Sequence, residues 1–365
     1  MEKNTVVVLD FGAQYNQLIT RRVRECKVYC VLLPYNTPLS KIKALRPKAI
    51  IMTGGPASVS KNLSPKCDPA IFKLGIPILG ICYGMQLLGY LLGGKVGRTK
   101  RHEYGHADLI IDKRERIFSG LGKKEKVWMS HGDQVLRLPE GFVRLAHTKN
   151  SRIASMYHPV KRFYGVQFHP EVAHTPRGIE IFRNFLYKIV GLKPTWTMCS
   201  FIKGSIKDIR AKAGGEKVVL GLSGGVDSSV AAVLLHKALG KRLHCIFVDN
   251  GLLRKGEREN VIKTFKTHFH INLHVVDAEK RFLKKLKGVS DPERKRKVIG
   301  REFIRVFEKE ASNLGGIRFL AQGTLYPDVI ESVSAKGGPS ATIKTHHNEG
   351  GLPKKMGFQL IEPLN

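Results

Sequence analysis

Short β-branched apolar runs separated by helical patterns occur twice along the chain, and no other feature narrows its fold as much. Thr5–Leu9 (TVVVL), Ala49–Met52 (AIIM) and Ile76–Leu79 (IPIL) lack the polar alternation of a half-exposed strand, as strands covered on both faces do. Residues 17–25 read as a helix between the first two, residues 164–168 as a further strand and residues 178–190 as a helix. Gly191-Leu192-Lys193-Pro194 stops that helix. The pattern then restarts with strands over 217–222, 243–248, 273–276 and 318–321 and a helix over 228–239. Strand–helix alternation of this kind specifies α/β folding around mainly parallel sheets, here in two domains divided near residue 195.

The 365 residues suit two domains better than one core. A hydrophobic fraction of 42% excludes a disordered chain, and no apolar run approaches the roughly 20 residues a membrane span needs. The N-terminus MEKNTVVVLD reaches strand-like sequence at once, so no secretory leader is expected. Six cysteines are scattered without a CxxC pair, which suits a reducing cytoplasm, and Cys26 and Cys30 lack the two further ligands of a zinc site. The formal charge of +32 is spread over both halves, with a peak at Arg294-Lys295-Arg296-Lys297. A nucleic-acid binder concentrates its charge in a patch or stripe and interleaves aromatics, so nucleic acid is not the expected partner.

Gly80-Ile81-Cys82-Tyr83-Gly84 follows an apolar run and precedes the helical pattern of Met85–Leu92. A nucleophile between two glycines at a strand-to-helix turn is the arrangement of a nucleophile elbow, with the helix N-terminus favouring thiolate. Alone, Cys82 reads as a buried small hydrophobe. Phe168-His169-Pro170-Glu171 adds a base and a carboxylate to orient it, and Thr53-Gly54-Gly55-Pro56 adds a glycine turn able to present amide groups to an oxyanion. His131, in Met129-Ser130-His131-Gly132-Asp133, is the weaker base because no carboxylate follows it at similar spacing; that segment is expected to bind substrate.

A second constellation, Ser223-Gly224-Gly225-Val226-Asp227-Ser228-Ser229, joins a strand to a helix. Its glycines let amide groups converge and its serines add hydroxyls, which makes a phosphate cradle without the lysine of the usual triphosphatase loop. Asp227 then suggests Mg²⁺. One glycine pair would be an ordinary turn; the flanking serines and aspartate argue otherwise. Val248-Asp249 and Gln322-Gly323, with the 324–328 stretch after it, fall at later strand ends and are expected to line the same cleft. Asp291 to Lys297 opens a helix with Pro292 in its first turn, where a solvated face is the plain alternative. The 344–348 stretch (KTHHN) suits a phosphate or purine contact better than a metal.

The first set of motifs resembles the class I glutamine amidotransferases over roughly residues 5–190. That resemblance implies a flavodoxin-like glutaminase with Cys82 as nucleophile, His169 as base and Glu171 as its orienter. Gly55 and Tyr83 then supply the oxyanion hole, and Gln86, Ser130, His131, Gly132 and Asp133 bind glutamine. The SGGVDSS loop resembles that of the ATP pyrophosphatases, a Rossmann-like fold, with Ser223, Gly224, Gly225, Val226, Asp227, Ser228, Ser229, Val248, Asp249, Gln322 and Gly323 implied in ATP binding and Asp227 in holding Mg²⁺. The order of the two, with the 10–15, 101–105, 291–300 and 344–351 stretches, resembles the glutamine-hydrolysing GMP synthetases, which are ligases of purine biosynthesis. The resemblance implies ATP, glutamine and XMP as substrates. It places Asp291, Glu293, Arg294 and Lys295 in a lid, and Lys344, Thr345, His346, His347 and Asn348 beside XMP. Domains are expected at 1–192 and 204–365 with a linker over 193–203. Members continue into a dimerising domain, so this chain is expected to lack it and homodimerisation becomes doubtful; position 349 is Glu where members carry an apolar residue. An NAD⁺ synthetase-like or tRNA-modifying relative is the enzymatic alternative, and a chain keeping only glutaminase and ATP binding is another.

Overall fold

A computed structural model describes residues 5–13, 16–61, 63–323 and 358–364. The chain divides into two compact units, 1–197 and 198–365. The expected linker over 193–203 is shortened: the helix Met198–Ala213 starts inside it, because Ile209 and Ala213 pack that helix onto the second core.

The first unit is built on nine strands: β1 (Thr5–Asp10), β2 (Tyr29–Pro34), β3 (Ala49–Met52), β4 (Ile78–Ile81), β5 (Lys95–Ile111), β6 (Lys124–Arg137), β7 (Val143–His147), β8 (Ser155–His158) and β9 (Phe163–Val166). Their order is β2-β1-β3-β4-β9-β8-β7-β5-β6. The first five are parallel, and β8, β7, β5 and β6 continue antiparallel. Every residue of β1, β3, β4 and β9 is buried, as two-sided cover by helices requires. The helices are α1 (Asn16–Glu25), α2 (Leu39–Ala44), α3 (Tyr83–Leu91) and α4 (Gly178–Arg183), the last passing into a π-helical stretch over Asn184–Ile189. α1 buries Ile19, Thr20 and Val23 and keeps Arg21 and Glu25 outside as an i,i+4 pair. α3 is buried from Tyr83 to Gly89, so it has almost no solvent face.

The second unit opens with α5 (Met198–Ala213) and alternates β10 (Lys217–Gly221), α6 (Val226–Leu239), β11 (Leu243–Asp249), α7 (Glu257–Ile262), β12 (Asn272–Asp277), α8 (Glu279–Leu286), α9 (Pro292–Asn313), β13 (Ile317–Ala321) and β14 (Gln359–Ile361). All strands are parallel in the order β12-β11-β10-β13-β14. β10 is therefore where the sheet changes direction of growth, with β11 on one side and β13 on the other. Ligand crevices of open α/β sheets lie at such a point, beyond the strands' carboxyl ends. Buried side chains cover both faces: Leu220, Leu235 and Phe247 on one, Val219, Ile246 and Phe307 on the other.

Candidate active site

In the first unit the register aligns the carboxyl ends of three neighbouring strands, pairing Met52 of β3 with Gly80 of β4 and Ile81 of β4 with Val166 of β9. The three expected chemical segments leave from those ends. Cys82 sits between β4 and α3 at φ +51°, a left-handed conformation that costs a non-glycine residue of order 1–3 kcal/mol and persists at functional sites. The close packing beneath it explains the glycines. A Cβ on Gly84 would fall 2.4 Å from the Met52 carbonyl oxygen, and one on Gly80 2.6 Å from the Gly84 backbone.

His169 is buried, and its Nδ1 lies 2.7 Å from Glu171 Oε1. A carboxylate accepts, so Nδ1 carries the hydrogen and Nε2 is left for Cys82. Burial alone would lower the basicity of His169; hydrogen bonding to Cys82 and then to Glu171 outweighs it and raises the pKa to about 11. The loop is tied to β6: His169 N donates to the Trp128 carbonyl, while Thr175 Oγ1 donates to the His169 carbonyl (2.7 Å) and accepts from Trp128 N (3.0 Å). Arg22 Nε of α1 holds the Glu171 carbonyl at 3.0 Å. The Gly54–Gly55 turn completes the site. A Cβ on Gly54 would lie 3.3 Å from His169 Cε1 and 3.8 Å from Cys82 Cβ, while Gly55 runs against the Phe11 carbonyl. Thr53 fastens the turn, accepting from Phe11 N and, by its carbonyl, from Gly84 N.

Four other buried cysteines differ from Cys82 in having no such surroundings. Burial pushes the thiols of Cys26 and Cys30 up to about 11 and those of Cys67 and Cys245 up to about 12, which keeps them as inert thiols.

The expected glutamine segment runs along β6 beside the nucleophile, with the Cys82 thiol donating to the Ser130 carbonyl at 3.7 Å. Two expectations change. His131 does have a carboxylate: Glu103, opposite it in the β5–β6 register, brings Oε2 within 3.3 Å of Nε2. Both are buried, and Nδ1 of His131 donates to the Asp133 carbonyl (3.1 Å), so the ring braces the strand. Gln86 commits its amide nitrogen to the Asp133 carbonyl (2.7 Å) and Gln167 Oε1 (3.4 Å). Glu103, Trp128, Gln167 and Thr175 were not expected; their positions make sense only through strand pairing and loop return, which local motifs do not encode.

In the second unit the SGGVDSS loop lies at the carboxyl end of β10. Gly224 takes φ +80°, and the hydroxyls of Ser223 and Ser228 lie 2.9 Å apart. Ser223 Oγ also accepts from Gly225 N, and Ser228 and Ser229 donate to the Gly225 carbonyl. α6 starts at Val226 after an extended Gly225, so its first-turn amides open at the loop, with Asp227 exposed among them. Gly323 comes to this loop across the β10–β13 point: a Cβ there would lie 3.5 Å from the Asp227 carbonyl. Gln322 N is held by the Ile361 carbonyl. Val248 is buried in β11, and Asp249 at its end pairs with Arg258 (3.3 Å) and caps Gly251 N. A cleft of about 710 Å³ on the other flank of the loop is lined by Gly224 and Ser229 together with Phe201, Val233, Arg254 and Phe265. Val248, Asp249, Gln322 and Gly323 do not line it. Asp291 caps α9, its carboxylate accepting from Arg294 N at 2.7 Å, and Glu293 pairs with Lys297 on the exposed face; Lys295 is exposed as well. Lys344, Thr345, His346, His347 and Asn348, and the 324–328 stretch, lie outside the described residues.

Comparison with known proteins agrees with this division. The family model described as glutamine amidotransferase class-I matches residues 7–189, and the one described as NAD synthase, an ATP pyrophosphatase family, matches residues 197–296. A GMP synthase [glutamine-hydrolyzing] of Carboxydothermus hydrogenoformans is 61% identical over 359 residues, 98% of this chain and 70% of that protein. Those of Acetivibrio thermocellus and Caldicellulosiruptor saccharolyticus are 58% and 59% identical over 365 residues, all of this chain and 71% of each. The chain belongs to the glutamine-hydrolysing GMP synthase family. The two sets of motifs therefore fall one to each unit, the Cys82–His169–Glu171 cluster in the first and the SGGVDSS loop in the second. Among the described residues no helix is long and apolar enough to cross a membrane.

Proposed function

We propose that this chain carries out the glutamine-fed, ATP-driven amination of XMP: XMP, ATP, glutamine and water give GMP, AMP, pyrophosphate and glutamate. The enzyme is a ligase with glutamine as amide donor. The observation that carries the reading is the alignment of Cys82, His169 and the Gly54–Gly55 turn at three adjacent strand ends, in a chain whose second unit presents SGGVDSS at its sheet's switch point.

In the first unit the Cys82 sulfur attacks the side-chain carbonyl of glutamine as a thiolate, its proton already held on His169 Nε2. Glu171 holds the imidazolium through Nδ1, and the amides of Gly55 and Tyr83 stabilise the oxyanion. The proton on Nε2 leaves with ammonia as the C–N bond breaks. Water then attacks the thioester, giving glutamate and restoring the thiolate. Ser130, His131, Gly132 and Asp133 form the wall against which glutamine lies, with Gln86 supporting Asp133.

In the second unit Ser223 to Ser229 bind the β- and γ-phosphates through hydroxyls and the α6 first turn. Asp249, Val248, Gln322 and Gly323 face the nucleoside. Adenylation of the xanthine 2-oxygen expels pyrophosphate; ammonia displaces AMP from C2. Magnesium usually takes one or two carboxylates with phosphate oxygens, and Asp227 offers an exposed carboxylate at the cradle, so the residues fit Mg²⁺. When bound, the ion supplies charge neutralisation of the departing pyrophosphate. Asp291, Glu293, Arg294 and Lys295 act as a lid, and residues 344–348 contact XMP. The glutaminase occupies residues 1–192 and the synthetase the unit that opens with α5 at Met198. The setting is a reducing cytoplasm, where buried free thiols persist.

The test is a substrate panel scored by pyrophosphate release. XMP with ammonium or glutamine is expected to support it, and Cys82→Ala to abolish glutamine use alone. Release with nicotinate adenine dinucleotide and not with XMP would reject the reading.

A further inference from the structure

The sulfur of Cys82 has a neighbour outside the triad. Gln167 follows β9 two residues before His169, is fully buried, and places Nε2 at 3.7 Å from Cys82 Sγ. A buried carboxamide is costly unless its polar atoms are paired, and a hydrocarbon of the same size would pack there more cheaply. Its partners fix which way it points. The Asp133 carbonyl can only accept, so the nitrogen of the buried Gln86 faces it at 2.7 Å. That nitrogen has a second hydrogen, and the group opposite it at 3.4 Å must accept; Gln167 therefore turns its oxygen to Gln86 and its N–H to sulfur. The reverse orientation would set two donors against each other. A chain of hydrogen bonds thus links β6 to the sulfur: Gln86 donates to the Asp133 carbonyl and to Gln167, and Gln167 donates to Cys82.

We propose that Gln167 is a further catalytic residue of the glutaminase site, a fixed N–H donor that stabilises the anionic sulfur. The proposal rests on the glutaminase reading above. As a thiol, Cys82 donates its S–H to the Ser130 carbonyl while its sulfur accepts from Gln167. With the proton on His169 the bond to Ser130 is lost, while the Gln167 N–H remains and is stronger, since hydrogen bonds to charged groups are the stronger ones. The interaction is therefore larger for thiolate than for thiol or thioester, which is what differential stabilisation requires. It acts twice: it holds sulfur as the thiolate that attacks, and it stabilises sulfur again when water has formed the C–O bond and the C–S bond breaks to release thiolate. Gln86, one step further back, is a positioning residue that sets the orientation of Gln167 and holds the Asp133 carbonyl.

The test uses the whole chain. Alkylation of Cys82 by iodoacetamide, followed by peptide mass mapping to separate it from the exposed Cys199, reads sulfur reactivity without glutamine binding. Steady-state glutamine hydrolysis reads kcat and KM. Gln167→Leu is expected to slow both alkylation and kcat about tenfold or more, with glutamine KM little changed. Gln167→Glu keeps the shape, sets an anionic oxygen against sulfur, and is expected to slow both further. Gln86→Met leaves the donor at sulfur and is expected to raise KM more than it slows alkylation. If Gln167→Leu fails to fold by circular dichroism, the isosteric Gln167→Glu decides. Wild-type alkylation in a folded Gln167 variant overturns the proposal. Should Cys82→Ala still hydrolyse glutamine, the glutaminase reading falls and takes this one with it; should Cys82→Ala be inert while the Gln167 variants match wild type, only this inference falls.

Discussion

Two side-chain hydrogens in the turn around Cys82 set how sharply the chain can bend there. Gly84 has room for a hydrogen where any larger group would meet the Met52 carbonyl at 2.4 Å, and the atom it would strike is backbone of a central strand. Gly84→Ala should therefore cost about 1–3 kcal/mol by overpacking and displace the Cys82 elbow; thermal unfolding and iodoacetamide reactivity measured together check both effects. His169 allows a sign to be worked out. Its pKa rises from 6.5 to about 11, despite the opposing effect of burial, because Cys82 and Glu171 bond to the ring. The folded chain thus holds this proton more tightly than the unfolded one, so the associated stability is fully present below pH 6.5 and is lost as pH climbs through about 11. The gap in urea midpoint between the wild type and His169→Gln should be widest near about pH 6 and should narrow steadily toward about pH 10. A gap that widens with pH would show that the ring is stabilised in its neutral form.

At the scale of elements, β6 joins the parts of the site. It carries the Ser130–Asp133 segment, places His131 of that segment opposite Glu103, and through Trp128 and Thr175 fixes the loop bearing His169. Thr175→Val removes the hydroxyl that serves Trp128 N and the His169 carbonyl at once. It should cost about 1–3 kcal/mol and lower glutaminase kcat more than it changes KM, read by unfolding and steady-state assay. In the second unit Asp291 caps a helix of 22 residues. Asp291→Ala should destabilise the first turn of α9 by about 0.5–2 kcal/mol, seen as faster hydrogen exchange over 292–296, and Asp291→Ser should restore it.

These elements also mark how far local sequence reaches. The central parallel strands were legible because cover on both faces leaves a continuous apolar run, and Cys82 and the His169–Glu171 segment because they follow such runs. The parallel edge strands β2 and β14, exposed in part, were not read. Nor were β5 and β6. Lys95–Ile111 (KVGRTKRHEYGHADLII) alternates poorly, being an antiparallel ribbon with a charged face and a register shift between Arg98 and Glu103. Without that pairing, nothing in the chain opposes Glu103 to His131 or returns Thr175 to Trp128. Gln167 stayed hidden for a related reason. One residue past a buried strand, a glutamine has no local partner, and its bonds to Gln86 and Cys82 span 81 and 85 residues.

For the molecule as a whole, two sheets with separate cores place each chemistry on its own unit. Phe247 and Leu235 of the second core belong to a different cluster from Leu9 and Met52 of the first. Ligands of one site should then stabilise one unit. A ligand at about one hundred times its Kd adds about 2.7 kcal/mol to the state it binds, which for units of this length is roughly 5–10 °C in Tm. Calorimetry of Cys82→Ser, which can bind glutamine without turnover, should show two transitions. Glutamine is expected to raise one of them, and ATP with Mg²⁺ the other. Assignment follows from hydrogen exchange at the two sites, at β4 and α3 for glutamine and at β10 and α6 for ATP. A single transition moved equally by either ligand would mean that the units unfold as one, and the separation of their cores would then count for nothing in stability.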